Sequence, residues 1–261
     1  MWNIAIGLDC RRDQAGPPVP MKTVLIIPAL NEERAIGHVL SEVPHDVFAQ
    51  IIVGNNGSSD RTTEIAERHG ATVVNEPRRG YGSACLGAMA AMPADTEIVV
   101  FMDADGGDNP ADAGLVIQPI ANDEVDFVVG SRVLGEAEPG ALGLHQRWGN
   151  TLATLLIRLW SGFRYSDLGP FRAIRASSLQ HIGMADPNYG WTIEMQMKAL
   201  RHGLRIKEVP VSYRNRRWGA SKVSGTVSGS VKAGAKILWT FFRLALANPG
   251  DAKKVYNNPR P

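Results

Sequence analysis

The chain has 261 residues, of which 44% are hydrophobic and 21% are charged, and its formal net charge at pH 7 is +2. This composition is typical of a globular protein and excludes global disorder, a collagen-like repeat and a disulfide scaffold. The small net charge predicts no bulk binding of nucleic acid. Cys10 and Cys85 match no zinc-ligand spacing, so we expect a reduced, cytoplasmic compartment.

No run of 18 apolar residues is present, and the N-terminus lacks a basic segment followed by an apolar one, so we predict neither a membrane-spanning helix nor a signal peptide. The organisation that we expect has four parts. They are a flexible extension (1–20), a catalytic domain (21–230), an amphipathic helix (231–247) and a frayed tail (248–261).

The first half of the chain alternates strand and helix patterns. Short apolar runs predict strands, and apolar residues spaced three and four apart predict helices between them. In chain order these are a strand at Val24–Ile27, a helix from Ile36 to Val43, a strand at Ile51–Val53, a helix through Ala66, a strand at Thr72–Val74, a helix through Met92 and a strand at Ile98–Met102. The alternation predicts a mainly parallel sheet flanked by helices, with its ligand site at the carboxyl ends of the strands.

The second half is predicted to continue this α/β pattern. A strand at Val125–Val129 precedes a helix whose repeating apolar residues we expect in the core; these are Leu152, Leu155, Leu156, Leu159 and Trp160. There follow a helix at Trp191–His202, strands at Ile206–Val209 and Val211–Tyr213, a basic Gly/Ser-rich loop and the last helix.

Asp103-Ala104-Asp105 directly follows the apolar run that ends at Met102. Two carboxylates delivered together by a strand end repel each other, and a hard divalent cation with oxygen ligands relieves that repulsion. We therefore predict that Asp103 and Asp105 bind Mg²⁺ or Mn²⁺ together with a substrate diphosphate. The alternative for an isolated Asp-x-Asp is a solvated turn with Gly106, Gly107 and Asp108.

Three other strand-end loops carry polar groups suited to a nucleotide. Glu32 in Pro28–Glu32 could accept hydrogen bonds from a base, or simply lie in the first turn of a helix. Asn55–Asp60 offers side-chain amides, or only an Asx turn. Arg78–Gly82 combines two arginines with glycines that permit close approach of a phosphate or sugar.

Seven segments together resemble glycosyltransferase family 2, in particular its dolichyl-phosphate mannose synthase-like branch with a GT-A fold. They are Pro28–Glu33, Asn56–Asp60, Arg79–Gly82, Asp103–Asp105, Gly130–Arg132, Asp167–Arg172 and Gly219–Lys222. The resemblance covers about residues 22–245. It implies inverting transfer of a hexose from a UDP- or GDP-linked sugar to an acceptor that in this branch is usually a polyprenyl phosphate such as dolichyl or undecaprenyl phosphate.

The resemblance also implies residue roles. Pro28, Glu32 and Asn55 would line the nucleoside, Asp103 and Asp105 would hold metal and diphosphate, and Arg132 would contact phosphate. Arg217, Ser221 and Lys222 would close over the phosphates. The full set of expected donor-binding residues is Pro28, Leu30, Glu32, Asn55, Gly57, Arg79, Gly80, Asp103, Ala104, Asp105, Arg132 and Ser221.

Two positions depart from the family pattern. Asn55 stands where relatives usually have an aspartate, which removes a charge and adds a donor, so the preferred base is left open. Asp108 stands near a position where relatives often have a glutamine, and its role is also left open.

The expected catalytic residues depend on the acceptor. A phosphate monoester is mostly dianionic at neutral pH and needs no strong base, so Asp105 with the cations Arg172, Arg217 and Lys222 would suffice. A hydroxyl acceptor would require a carboxylate base, for which Asp167 and Glu194 are the choices.

The last predicted helix carries Trp and Phe beside Lys and Arg, which suits either a peripheral position on the cytoplasmic membrane face or packing against the catalytic domain. A homo-oligomer is compatible with the sequence, and we expect no nucleic-acid partner. The alternatives kept open are transfer to a soluble hydroxyl acceptor and a non-catalytic sugar-nucleotide binding module.

Overall fold

The computed structural model describes residues 21–218 and 227–247. The predicted extension (1–20) and tail (248–261) lie outside the described residues, and so do residues 219–226 of the predicted basic loop. Seven described strands form one sheet: β1 (Thr23–Ala29), β2 (Gln50–Asn55), β3 (Thr72–Asn75), β4 (Ile98–Phe101), β5 (Phe127–Ser131), β6 (Arg172–Arg175) and β7 (Ile206–Pro210).

The strand order is β3-β2-β1-β4-β6-β5-β7. β6 is antiparallel to both of its neighbours, β4 and β5, and every other neighbouring pair is parallel. The sheet is therefore mainly parallel, as predicted, and the carboxyl ends of β1, β2 and β4 share one edge.

Helices cover both faces of this sheet. They are α1 (Ile36–Glu42), α2 (Thr62–Arg68), α3 (Tyr81–Ala90), α4 (Ala113–Ala121), α5 (Leu144–Ser161), α6 (Ala176–Ile182), α7 (Trp191–Arg201) and α8 (Val227–Ala247). Side chains of β1 alternate between the two cores: Val24 and Ile26 pack with α3 and α5–α8, whereas Leu25 and Ile27 pack with α1, α2 and α4.

Three elements were missing from the sequence prediction. β6 reads Arg-Ala-Ile-Arg and contains one large apolar residue, so it has too little alternation to be recognised. α4 contains Pro119, and α6 spans only seven residues. Each owes its conformation to packing more than to its own pattern.

Two predictions for the second half were wrong. The expected strand Val211–Tyr213 is absent, because Tyr213 makes only isolated bridges to Asp108 and Ala137. The apolar stripe of α5 is split: Leu156 and Trp160 pack against the core, whereas Leu152, Leu155 and Leu159 are exposed. Periodicity alone cannot say which of several apolar faces a helix buries.

Candidate active site

A cavity of about 340 Å³ opens at the carboxyl ends of β1, β2 and β4. Crevices at this edge of open α/β sheets are the usual place for ligands. Its lining residues are Pro28, Ala29, Leu30, Glu32, Asn56, Arg79, Gly80, Tyr81, Ala84, Asp103, Ala104, Asp105, Asn188, Tyr189 and Arg216.

Asp103 and Asp105 form the acidic part of the wall. The Tyr81 hydroxyl donates to Asp103 Oδ1 over 2.9 Å, and the Gly107 amide donates to Asp105 Oδ1 over 2.8 Å. Burial and the neighbouring Asp105 raise the pKa of Asp103 to about 6. A divalent cation at this point would relieve that unfavourable charge.

Arg216 lies against this acidic pair. Its guanidinium donates to Asp105 Oδ2 in an ion pair, and Trp218, two residues further along the chain, stacks on His38 with ring centroids 4.2 Å apart. One oxygen of Asp105 therefore already faces a positive charge. The pocket is built to hold cations beside these carboxylates.

The chemistry of these ligands fits Mg²⁺ or Mn²⁺, which prefer carboxylate oxygens and take further ligands from substrate phosphates. Across residues 21–218 and 227–247, no three His, Cys, Asp or Glu side chains group in a way that could hold a metal by themselves. A metal held by Asp103 and Asp105 would therefore take its remaining ligands from substrate phosphates or water.

Asp108 supports this wall from behind. Its side chain is buried, Oδ2 accepts from the Asp103 amide over 3.1 Å, and burial next to Asp103 and Asp105 raises its pKa well above the usual range. Among the described residues Oδ1 has no hydrogen-bond partner. Asp108 is not among the residues that line the cavity.

The opposite wall comes from the loop before α3. Asn56 fixes this loop, because its Nδ2 donates to the Arg78 carbonyl over 2.7 Å and its Oδ1 accepts from the Gly80 amide over 2.7 Å. Gly80 has φ 137°, and a Cβ there would lie 2.1 Å from the Pro187 carbonyl oxygen. Glycine is therefore required at this position. Arg79 extends beside it to the Asn56 carbonyl.

The structure brings most of the expected donor-binding residues to the cavity. Those that line it are Pro28, Leu30, Glu32, Arg79, Gly80, Asp103, Ala104 and Asp105. Asn55 and Gly57 do not line it. Asn55 is buried beside β3, where Nδ2 donates to Asn75 Oδ1 over 2.8 Å and Oδ1 accepts from the Ser58 amide. Asn56 faces the cavity instead, and the expected contact of Asn55 with the nucleoside stays a prediction.

Arg132 and Asp167 also lie away from the cavity lining, and they bind each other. The backbone amide, Nε and Nη2 of Arg132 all donate to the Asp167 carboxylate at 2.8 to 2.9 Å. Burial would lower the pKa of Arg132, but the hydrogen bonds and charge of Asp167 raise it. In this structure the two side chains form an ion pair, and the roles expected for them, phosphate contact and general base, stay predictions.

Arg172 is completely buried in β6. Its guanidinium donates to the carbonyl oxygens of Leu168, Gly169 and Thr192, and burial lowers its pKa. Its donors are used inside the protein, where they tie the segment before β6 to α7. The expected contact of Arg172 with a diphosphate stays a prediction.

Glu194 is likewise buried and engaged. Its Oε2 accepts from the backbone amides of Ala185 and Asp186, and its Oε1 pairs with Lys198 over 2.9 Å. This carboxylate orders the loop that precedes α7, and its expected role as a general base stays a prediction. That loop carries Asn188 and Tyr189 into the cavity wall.

Arg217 is 62% exposed and approaches Glu138 at 4.0 Å, outside the cavity lining. The preceding residue, Arg216, takes the position that was expected for Arg217. Ser221 and Lys222 lie outside the described residues, so their expected roles remain predictions.

Sequence reasoning missed four polar residues of the wall, namely Tyr81, Asn188, Tyr189 and Arg216. Tyr81 lies within the recognised motif Arg79–Gly82, and Arg216 directly precedes Arg217, the residue that was chosen. Asn188 and Tyr189 lie in the loop between α6 and α7, where no sequence motif or periodicity marks them.

Comparison with known proteins agrees with this geometry. The profile of Glycosyl transferase family 2 matches residues 24–183. An uncharacterised glycosyltransferase of Mycobacterium tuberculosis is 37% identical, over 80% of this chain and 93% of its own length. A dolichyl-phosphate hexose transferase of Haloferax volcanii is 32% identical, over 79% of this chain and 88% of its own length.

Among solved structures, a glucosyl-3-phosphoglycerate synthase of Mycobacterium tuberculosis in complex with Mn²⁺, UDP-glucose and phosphoglyceric acid superposes with a TM-score of 0.71. It is 22% identical, and the match covers 86% of this chain and 79% of that one. This likeness confirms the GT-A-like fold. The family match over most of the core, together with relatives of this identity, shows that the chain belongs to glycosyl transferase family 2.

Proposed function

We propose that the protein transfers a hexose, with inversion, from a nucleoside diphosphate sugar to a polyprenyl phosphate in a reaction that depends on Mg²⁺ or Mn²⁺. Support comes from a cavity that combines the paired carboxylates of Asp103 and Asp105 with two arginines, and from the dolichyl-phosphate hexose transferase among the relatives. The donor part of the proposal also agrees with the UDP-glucose and Mn²⁺ bound in the similar synthase.

In this proposal Asp103 and Asp105 hold the metal ion. When bound, the cation supplies positive charge to the departing diphosphate. Arg216 and Arg79 both line the cavity and contribute further charge toward the phosphates, while Glu32 and Asn56 face the nucleoside. Arg216 thereby takes the role that the sequence had suggested for Arg217.

The reaction forms a bond between an acceptor oxygen and the anomeric carbon and breaks the bond from that carbon to the diphosphate. A phosphate monoester has a second pKa near 6, so at neutral pH its oxygen is already an anionic nucleophile. The structural observation that favours this acceptor is that Asp167 and Glu194, the two expected bases, are both buried in ion pairs away from the cavity.

Transfer to a soluble phosphorylated hydroxyl acceptor is the second candidate. The structure of the similar synthase contains phosphoglyceric acid, and its fold matches over most of this chain. An alcohol acceptor loses its proton during transfer and so calls for a base at the cavity. A binding module without catalysis is the remaining alternative.

The test is a transfer assay with labelled UDP- and GDP-hexoses, Mn²⁺ and either a polyprenyl phosphate in detergent or phosphoglyceric acid. We expect label in the lipid product, lost on chelation of the metal. Label only in a soluble product would favour the second candidate, and an intact donor under all conditions would favour a binding module.

Arg216→Met and Arg217→Met form a matched pair for the assignment of the phosphate-binding cation. We expect Arg216→Met to lower kcat/KM for the donor by about a hundredfold, which corresponds to about 2.7 kcal/mol. We expect Arg217→Met to remain within threefold of the wild type. Equal losses in the two variants would contradict the assignment.

A further inference from the structure

Helix α5 exposes a continuous row of large apolar side chains. Their exposed fractions are 76% for Leu144, 76% for Trp148, 46% for Leu152, 45% for Leu155 and 68% for Leu159. At 100° per residue these five positions fall within an arc of about 80° on one side of the helix. We call this set the α5 stripe. Scattered exposed leucines need no explanation, but an aligned row of five does.

Charged residues around the α5 stripe have one sign. Arg147 and Arg158 are exposed and fall along one edge of the stripe, and the helix contains no Asp or Glu. An arginine can lay its apolar stem along such a row while its guanidinium extends outward to an anion. The composition is that of an amphipathic helix that binds an anionic surface.

The neighbouring helix α8 has a related character. It packs against α5, exposes Trp239, Phe242 and Leu246, and also contains no Asp or Glu. Two of its cations are directed elsewhere, since Lys236 lies 2.9 Å and Arg243 3.9 Å from the buried carboxylate of Asp186. The arginines beside the α5 stripe, Arg147 and Arg158, are therefore freer to bind an external anion than these two cations of α8.

We infer that the α5 stripe docks on the surface of a membrane that contains anionic lipid. This inference rests on the proposed function, because a polyprenyl-phosphate acceptor resides in such a membrane. A helix of 18 residues is about 27 Å long and would lie in the plane of the headgroups with its apolar side chains below them. No helix among the described residues is long and apolar enough to cross a bilayer.

The charge pattern favours lipid over a second copy of the chain. An antiparallel two-fold contact through the α5 stripe would bring Arg147 and Arg158 toward the same cationic edge of the partner, with no acidic residue of α5 to compensate. Anionic headgroups supply the missing counter-charge.

The experiment is flotation of the full chain with two kinds of vesicle, phosphatidylcholine alone and phosphatidylcholine mixed with phosphatidylglycerol. We expect the protein to float with the mixed vesicles and to lose binding as salt is raised. The double variant Trp148→Gln/Leu159→Gln should lower the partition coefficient at least tenfold, whereas Leu115→Gln should not change it. Leu115 is 47% exposed on α4 and is the matched apolar control.

The contribution of charge is tested separately with the double variant Arg147→Gln/Arg158→Gln. Its control is Arg61→Gln/Arg68→Gln, which removes one arginine just before α2 and one at the end of α2. We expect about a fivefold loss of binding to mixed vesicles for each arginine removed from α5, and no loss for the control pair. Because the substituted side chains are exposed, we expect every variant to unfold at the same temperature as the wild type. That result excludes a folding defect as the cause of lost binding.

Several outcomes would overturn the inference. These are flotation that is indifferent to the α5 variants, or a wild-type dimer that Trp148→Gln/Leu159→Gln converts to monomer. Transfer assays in detergent keep the two proposals apart. Vesicle binding without lipid glycosylation would contradict the proposed acceptor alone, and lipid glycosylation in detergent without vesicle binding would contradict the docking surface alone.

Discussion

Replacing Asp167 by asparagine should destabilise the protein strongly, because it leaves the Arg132 guanidinium without its counter-charge. The Asp167 side chain is 1% exposed and that of Arg132 is 14% exposed, and three hydrogen bonds join them. Removal of one partner from a buried pair costs about 3 to 5 kcal/mol. Since Arg132 retains a little solvent contact, we expect about 3 kcal/mol, or a fall in Tm of about 6 to 12 °C for a chain of this size.

The assay is urea unfolding followed by circular dichroism, with a double-mutant cycle through Arg132→Met and Asp167→Leu. We expect a coupling energy of about 2 kcal/mol or more between the two sites. The matched control is Glu124→Gln, which breaks the exposed pair with Lys207 at 2.9 Å and should cost less than about 1 kcal/mol.

A stability of Asp167→Asn within about 1 kcal/mol of the wild type would refute this reasoning. If the variant kept its stability but lost kcat, Asp167 would instead be the base that the sequence first suggested.

Three further changes have defined outcomes. The pKa of Asp103 is raised to about 6, so below that pH its carboxyl group must lose a proton before it can bind a metal ion. Apparent Mn²⁺ affinity, measured by calorimetry, should therefore be constant above pH 6 and fall about tenfold per pH unit below it. Gly80→Ala should cost about 2 kcal/mol or more in urea unfolding, because its Cβ would meet the Pro187 carbonyl; Gly70→Ala, at φ 80° with open space, should cost about 1 kcal/mol, and equal costs would contradict the clash. Asn55→Asp should lower stability by about 1 kcal/mol, because it removes the donor to Asn75, and should leave the preference between UDP- and GDP-sugars unchanged; a switch of donor would return this position to the nucleoside site.

The sequence predicted the first half of the chain, which carries the proposed donor site, well because the signals for its strands are local. Apolar runs such as Val24–Ile27 and Ile98–Met102 marked strands that are buried on both faces, and the residues that follow such strands must lie at one edge of a parallel sheet. The position of Asp103 and Asp105 in the cavity follows from that rule alone. Short elements such as β6, whose pairing is antiparallel and distant in sequence, left no comparable signal.

Individual side chains could be predicted less well than the loops that carry them. Asn55 and Asn56 are adjacent, and only the hydrogen bonds to Asn75 and Gly80 decide which of them faces the cavity. The same holds for Arg216 and Arg217. The surroundings of Arg172 and Glu194 could not be predicted for a different reason. Both have the chemistry of catalytic groups, and most of their partners are backbone carbonyls and amides, which leave no residue-type signal in the sequence.

The most direct measurement of the central claim is calorimetric titration of UDP and of GDP with and without Mn²⁺. We expect one of them to bind the wild-type protein only with the metal, binding to be lost in Asp103→Asn and Asp105→Asn, and binding to persist in Asp95→Asn, whose carboxylate is 71% exposed far from the cavity. Nucleotide binding that needs no metal, or that survives removal of either carboxylate, would contradict the assignment of this cavity as a metal-dependent sugar-nucleotide site.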